Sequence, residues 1–582
     1  MFLLIIILAL FFPSTVFANN EFDVIQNISY EVNLQGDAKV SHDISLTNKI
    51  SQIYAKEYQI VIHNTNTQSV TGHDKHGNIV KSVVPEPDKT TINLQFDQPT
   101  IGKDQQNNFS LEYTISKFAQ KKGSTWELLF PQFENQIPTA KLNITLSIPG
   151  SFGDLSFASI PIQNNHLVDN HTIIEFSPSS SKSKPLLVFG NNQVFDFKLL
   201  YYLKNPDSAP KNIEIPIPPD TNLQTIIYKD FNPKPQSVRI DEDGNWLASF
   251  FINPSLDVEI TIEGQAKIHP SIKQPVSIDP SAYTSAQKYW EVDSPDISII
   301  SNTLNTPKSI YDYVVSTLTY DYDLINSASR KGGQTAILNP SKSLCTEFTD
   351  LFVTLARSAK IPAREIEGFA YSNNPKIKPT NLGADILHAW PEYYDSNTKT
   401  WIQVDPTWEK TTNGIDFFKE LDLNHITFVI HGKSSENPAP PGAYKKDNLS
   451  KTVFVDFASD SLNPQLQSPV IEVENNQLVI RNPNLFALPP TQINLQNLSQ
   501  EFSTKTLPPL GKETISIPKT SFINSLLSKN SNFKFEISTS DGKIVKTTIN
   551  RDHYLNLAIT AGVAIFILCI GGIILTTAPK KK

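Results

Sequence analysis

The sequence predicts a multidomain chain: a β-rich N-terminal region, a mixed α+β middle, a C-terminal β-sandwich and a single C-terminal transmembrane helix. Three observations carry this. Alternating apolar and polar runs dominate both flanks, helical periodicity is confined to the middle, and an uncharged apolar stretch lies near the C-terminal end. For 582 residues, a prior of roughly 150 residues per domain allows three or four domains. Apolar residues make up 39% and charged ones 19%, enough for packed cores, which excludes a disordered or fibrous chain. The net charge of −8, with no basic stripe, argues against a nucleic-acid partner.

The N-terminal elements come first. Residues 2–12 form an unbroken apolar run too short to span a bilayer, and small residues follow, ending in Val16-Phe17-Ala18. This predicts a secretory signal over residues 1–18, cleaved before Asn19, although no Lys or Arg precedes the run. An N-terminal β domain is expected over 19–204. Its residues 29–46 alternate on either side of a Gly36-Asp37 turn, a hairpin signal. His76-Gly77-Asn78 and Asp243-Gly244-Asn245 read as further hairpin tips. A Pro-rich stretch at 205–218 introduces a second β module over 205–275. Asp241-Glu242-Asp243 lacks the spacing and closing Glu of a calcium loop, so a solvated turn is expected there. His73 and His76 likewise lack partners with metal-ligand spacing.

Helical periodicity starts after about residue 285. Thr306-Pro307 is an N-cap and first-turn pair, and Ile310, Val314 and Leu318 mark one face. The mixed domain spans 281–435, and a linker at 436–465 leads to a β region over 466–550, of immunoglobulin-like type and size, with a hairpin turn at Asp541-Gly542. Residues 555–577 carry no charge and are long enough to cross a hydrocarbon core of roughly 30 Å. Lys580, Lys581 and Lys582 follow, which places the tail 578–582 in the cytoplasm and the bulk of the chain outside. Six N-x-S/T sequons occur, at Asn27, Asn108, Asn143, Asn170, Asn448 and Asn497; they matter only in a cell that glycosylates.

The chain has 2 cysteines, and Cys569 lies in the apolar C-terminal stretch. Cys345 therefore stands alone in the extramembrane part, with no intramolecular disulfide or multi-cysteine zinc site available. So large an outside portion without disulfides argues for a bacterial rather than an animal surface.

The chemistry concentrates in residues 341–410. Leu344, Phe348, Leu351, Phe352, Leu355 and Ala359 recur at helical steps, predicting an amphipathic helix that Pro362 ends. Cys345 falls at its first turn, where free N–H groups and the macrodipole favour a thiolate. Residues 387–408 read as an antiparallel hairpin around the polar turn 395–399. If Tyr394 pairs with Lys399, His388 lies directly opposite Asp405; if Tyr394 pairs with Trp401, the two are diagonal. Either register lets the carboxylate reach the imidazole, whereas an odd loop would place them on opposite faces. Cys345 as nucleophile, His388 as proton carrier and Asp405 as its orienting carboxylate form a nucleophilic thiol constellation. The Cys345 backbone N–H is a natural oxyanion donor; the second donor and the substrate-binding residues cannot be read.

Cys345 at its helix start, Ile361-Pro362-Ala363-Arg364, His388-Ala389-Trp390 and Val404-Asp405-Pro406-Thr407-Trp408 together resemble the transglutaminase-like superfamily. The segment ending in Tyr320-Asp321-Tyr322-Asp323 resembles the helix before that family's nucleophile. The resemblance covers about residues 281–435 and implies a papain-like α+β core with a Cys-His-Asp triad. Three positions depart from the family pattern. Ser343 and Lys360 stand where glycine is usual, and Pro391 follows His-Ala-Trp, suggesting an edge strand or a bulge. Trp390, Trp401 and Trp408 are expected in the core and cleft wall.

The expected function is a cell-surface cysteine enzyme that cleaves or transfers an acyl group at peptide or amide bonds, with hydrolysis favoured. The alternative is a silent surface adhesion or scaffold protein with a vestigial core, against which the intact constellation speaks. No HExxH or clustered histidines support a metal-dependent hydrolase, and no cofactor or metal is expected. The expected partners are a peptide or protein substrate and the lipid bilayer, through residues 555–577.

Overall fold

The computed structural model describes residues 21–550 apart from positions 64, 66, 136, 138, 180–183, 271–275, 277, 326–328, 373–377, 381–384, 386, 420, 448–449, 475–476, 491, 496–499, 517–531 and 539–543. The expected signal segment, the 555–577 span and the Asp541-Gly542 turn lie outside the described residues. Among the described residues no helix is long and apolar enough to cross a membrane. Strands dominate and helices are few. The chain divides into two compact units, one of Met1–Gln193 with Trp408–Leu423, the other of Val194–Thr407 with Asn424–Lys582.

In the first unit, β1 (Phe22–Val32) and β2 (Ala38–Asn48) form the expected hairpin, paired from Phe22↔Asn48 to Val32↔Ala38. Their burial alternates, so the period-2 pattern puts Ile28, Tyr30, Val40 and Ile44 in the core. Gly36 takes φ +88° in the turn, and a Cβ there would stand 2.1 Å from the Ala119 carbonyl oxygen, so only glycine fits. β3 (Gln106–Ile115) pairs with β2, and β4 (Thr139–Pro149) runs parallel to β1, within an eight-stranded sheet. His76-Gly77-Asn78 is a hairpin tip, with His73 paired to Asn78. The late segment adds Phe417, whose ring lies 5.9 Å from Phe157 and 6.0 Å from Trp408.

In the second unit, strands Gln193–Lys204, Asp257–Ile268 and Gln224–Asn232 share one sheet with Val453–Phe457. The stretch 436–465, read from sequence as a linker, thus contains a strand paired to Gln193–Lys204. Asp243-Gly244-Asn245 does form a hairpin tip, but not a solvated one. Asn245 is fully buried, and Asp243 accepts from the N–H groups of Gly432 and Lys433 at 3.0 and 2.9 Å. Residues 470–550 supply a three-stranded and a four-stranded antiparallel sheet.

The mixed region of this unit holds α1 (Pro295–Ser301), α2 (Pro307–Thr317), α3 (Gly333–Leu338) and α4 (Cys345–Ser358). Thr306 caps α2 by accepting from Ser309 N–H at 3.1 Å. The helix stops at Thr317, so Tyr320 to Asp323 are not its end: Tyr320 bridges to Ser343, and a 3-10 turn follows over Tyr322–Leu324. α4 stops at Ser358, four residues before Pro362, because Lys360 adopts φ +63°. That left-handed residue is where the family's glycine is usual. α4 is buried all round from Glu347 to Arg357 rather than on one face. Its polar side is satisfied internally; Arg357, for example, donates to the carbonyls of Ala363, Ser285 and Gly432 at 2.9, 2.8 and 2.6 Å.

Beside α4 lies a four-stranded sheet in the order β7-β6-β5-β8, with β5 Ala363–Ala370, β6 His388–Asp395, β7 Thr400–Gln403 and β8 His425–His431. Tyr394 pairs with Trp401, selecting the diagonal of the two registers. β6 lies between β7 and β5, so Pro391 is not on an edge strand. It sits just beyond the residues paired with β7, where its missing N–H costs no ladder bond, and its carbonyl still accepts from Val404 N–H at 3.0 Å.

Candidate active site

Cys345 is the first residue of α4 and is buried. The N-cap residue before it, Leu344, has no polar side chain, so the free N–H groups of the first turn are not taken by a cap. The helix start is anchored instead from within. Glu347, at the third helical position, accepts from Leu344 N–H at 2.9 Å and from Lys331 N–H at 3.1 Å. Asp321 N–H donates to the Ser343 carbonyl at 2.9 Å and ties down the preceding segment.

His388 opens β6, and Asp405 lies two residues past β7. His388 Nε2 is 2.9 Å from Asp405 Oδ2, with both side chains fully buried. Nε2 being committed to the carboxylate, Nδ1 is the nitrogen left for the thiol. Burial alone would lower the His388 pKa. The Asp405 charge and hydrogen bond, joined by a hydrogen bond and charge from Cys345, outweigh it and raise the pKa to about 9. Burial would likewise raise Asp405, but His388 and then His425 hold its carboxyl well below the usual range. Tyr311, buried on α2, donates its hydroxyl to the Asp405 carbonyl at 3.1 Å and fixes the backbone there. The three residues singled out from sequence are thus brought together.

Sequence reasoning missed His425. From β8 its Nε2 lies 3.4 Å from the same Asp405 Oδ2, and its ring packs edge-on against Trp390 at 5.0 Å. Gly368 was also missed. It pairs with His388 across the sheet at a bulge in β5, and a Cβ there would stand 2.0 Å from the Ile426 carbonyl oxygen and 2.9 Å from the Trp390 ring.

Residues 297–406 match the family model described as the transglutaminase-like superfamily. This core is transglutaminase-like. Among solved structures, one described as "a Putative Cysteine Protease from Cytophaga hutchinsonii" is 15% identical at a TM-score of 0.30, covering 47% of this chain and 89% of its own. The periplasmic domain of TgpA from Pseudomonas aeruginosa, bound to ethylmercury, is 12% identical at 0.22, covering 39% and 94%. An M1 zinc metallopeptidase from Deinococcus radiodurans is 13% identical at 0.21, over 32% of this chain and 45% of its own, so this chain spans less than half of it. No curated protein matches the sequence.

Within the transglutaminase-like core, Ser343 is buried and its hydroxyl donates to the Pro340 carbonyl at 3.4 Å. Trp390 is fully buried and donates to Gln403 Oε1 at 2.9 Å, and Trp401 is buried under the Arg364 guanidinium, which stands 4.0 Å from its ring. Both are buried in the core, as is Trp408.

A second ionisable cluster lies on the same sheet. Glu365 on β5 accepts from Arg330 Nη2 at 2.8 Å and pairs with His431 Nδ1 at 3.0 Å. Arg330 also grips Asp350 of α4 through both carboxylate oxygens, and Trp290 Nε1 donates to Asp350 at 2.9 Å. His431 Nε2 donates to the Pro438 carbonyl at 2.7 Å, so both ring nitrogens face acceptors and the ring is held as imidazolium. Burial opposes that charge, but Glu365 prevails and raises the His431 pKa to about 9.

Proposed function

We propose that this chain is a surface cysteine enzyme that cleaves or transfers an acyl group at peptide or amide bonds through a Cys345 thioester, with hydrolysis favoured. The observation that carries this reading is the 2.9 Å pair of His388 Nε2 and Asp405 Oδ2, with Cys345 close enough to raise the imidazole's pKa. The Cys345 thiolate attacks the carbonyl carbon and forms a C–S bond. The negative oxygen falls to the N–H groups at the start of α4, which no cap side chain occupies. The His388 imidazolium gives its proton to the leaving nitrogen as the C–N bond breaks. His388 then takes a proton from water, which attacks the thioester; the C–S bond breaks, and acid and thiol are released. Asp405 holds the tautomer throughout. Hydrolysis is favoured because no amine-acceptor site is identifiable among the described residues. The reading places this core outside the cell, exported by residues 1–18 and anchored by 555–577, with an immunoglobulin-like domain over 466–550 between core and anchor.

The test is iodoacetamide labelling of the purified full chain at pH 7 with chelator present, mapped by peptide mass so that Cys345 and Cys569 are read separately. Cys345 labels fast in the wild type and roughly tenfold or more slower in His388→Ala, because the thiolate is the reacting species. A Cys345 rate indifferent to His388 sinks the enzyme reading and leaves the scaffold one.

A further inference from the structure

His388, Asp405 and His425 present more than a hydrogen-bonded pair. Their Nε2, Oδ2 and Nε2 atoms all lie within 4.8 Å of one another, with the two shorter separations at 2.9 and 3.4 Å. A tetrahedral zinc ion with bonds of about 2.0–2.2 Å holds its donors about 3.3–3.5 Å apart. The present spacing therefore needs shifts of only tenths of an ångström in two of the three pairs. Two imidazoles and one carboxylate are also a donor set found in zinc sites that keep a fourth position open. Each donor is supported from behind: Tyr311 fixes the Asp405 backbone, His388 pairs with Gly368 on β5, and the Trp390 ring packs against both imidazoles, at 5.8 and 5.0 Å. The neighbouring Glu365–Glu367–His431 group has equally close donor atoms, but there the Arg330 guanidinium already supplies the positive charge.

We propose that His388 Nε2, Asp405 Oδ2 and His425 Nε2 bind one zinc ion, and that zinc occupancy silences the thiol chemistry. No bond to Cys345 is involved, since the three donors belong to His388, Asp405 and His425. With zinc on Nε2, that imidazole is no longer held by Asp405 and cannot accept and return a proton at Nδ1. The binding stands on geometry alone, while the silencing rests on the acyl-transfer reading. His425 is the residue that makes the site, because without it only a His-Asp pair remains.

The experiment is zinc titration of the chelator-stripped full chain, purified without a histidine tag, by competition with a chromophoric zinc indicator. The expected result is one ion per chain at micromolar affinity or tighter, in the wild type and equally in Cys345→Ala. The affinity falls at least about tenfold in His425→Gln, which keeps an N–H for Asp405 but removes the imidazole donor. His425→Gln keeps the wild-type melting temperature, so lost binding is not lost folding. Absence of stoichiometric zinc in the wild type, loss of zinc in Cys345→Ala, or undiminished affinity in His425→Gln each overturns the proposal. Failure of the labelling test with zinc binding intact would instead remove the acyl-transfer reading and leave the metal site standing.

Discussion

Two histidine–carboxylate clusters sit on one four-stranded sheet, both buried, each with an imidazole whose pKa is raised to about 9. They differ in what completes them. Around His431 another part of the chain answers the carboxylates: Arg330 bridges Asp350 and Glu365, and the second ring nitrogen is spent on a carbonyl. Around His388 one ring nitrogen is spent on the carboxylate, and the Cys345 thiol acts on the same imidazole. A perturbed pKa thus does not by itself mark a functional site. What separates the clusters is whether the proton on the ring has somewhere to go.

The comparison can be broken most severely at Arg330. Arg330→Met leaves Asp350 and Glu365 buried without their cation and should cost about 3–5 kcal/mol, read by urea unfolding. A loss under about 1 kcal/mol would mean that the guanidinium is not the closing group. The histidines come next. Both folded pKa values lie above the ordinary 6.5, so each contributes stability that is fully present below about pH 6.5 and is lost as pH rises through about 9. Each share is on the order of 3 kcal/mol. His431→Gln should flatten that slope without changing Cys345 labelling, whereas His388→Ala changes both, and identical behaviour of the two variants would erase the distinction. Gly368→Ala should destabilise by about 1–3 kcal/mol through overpacking, and should slow Cys345 labelling because Gly368 backs His388. The smallest effect is a control outside both clusters. Lys360→Gly relieves a left-handed residue and should stabilise by about 1 kcal/mol in thermal unfolding, with labelling unchanged.

Local patterns made the three candidate residues legible because each sits at the end of an element with its own signal: Cys345 at a helix start, His388 at a strand start, Asp405 just past a hairpin arm. The register was bounded to two choices by turn length, and tertiary pairing selected one. His425 escaped because its strand joins β5, not the hairpin, and nothing local to the run His425–His431 announces which carboxylate it will meet. Its one sign was a pair of histidines bracketing an apolar strand. The Asp241–Asn245 turn looked solvated for the same reason, since the groups that bury it lie at residues 430–433. The strand Val453–Phe457 hid in a Pro-rich stretch and pairs with Gln193–Lys204.

The assignment of Trp408–Leu423 to the first unit has a consequence for how the chain is made. A ribosome releases the N-terminal strands long before it reaches this segment, yet Phe417, the packing partner of Phe157, is supplied only then. The N-terminal part of the first unit therefore cannot finish as an independent body during synthesis; it must wait, partly assembled, while Cys345, His388 and Asp405 emerge. Expression of residues 19–193 alone should yield a body with an unfilled apolar seat, and a second polypeptide carrying 408–423 is the natural piece to complement it.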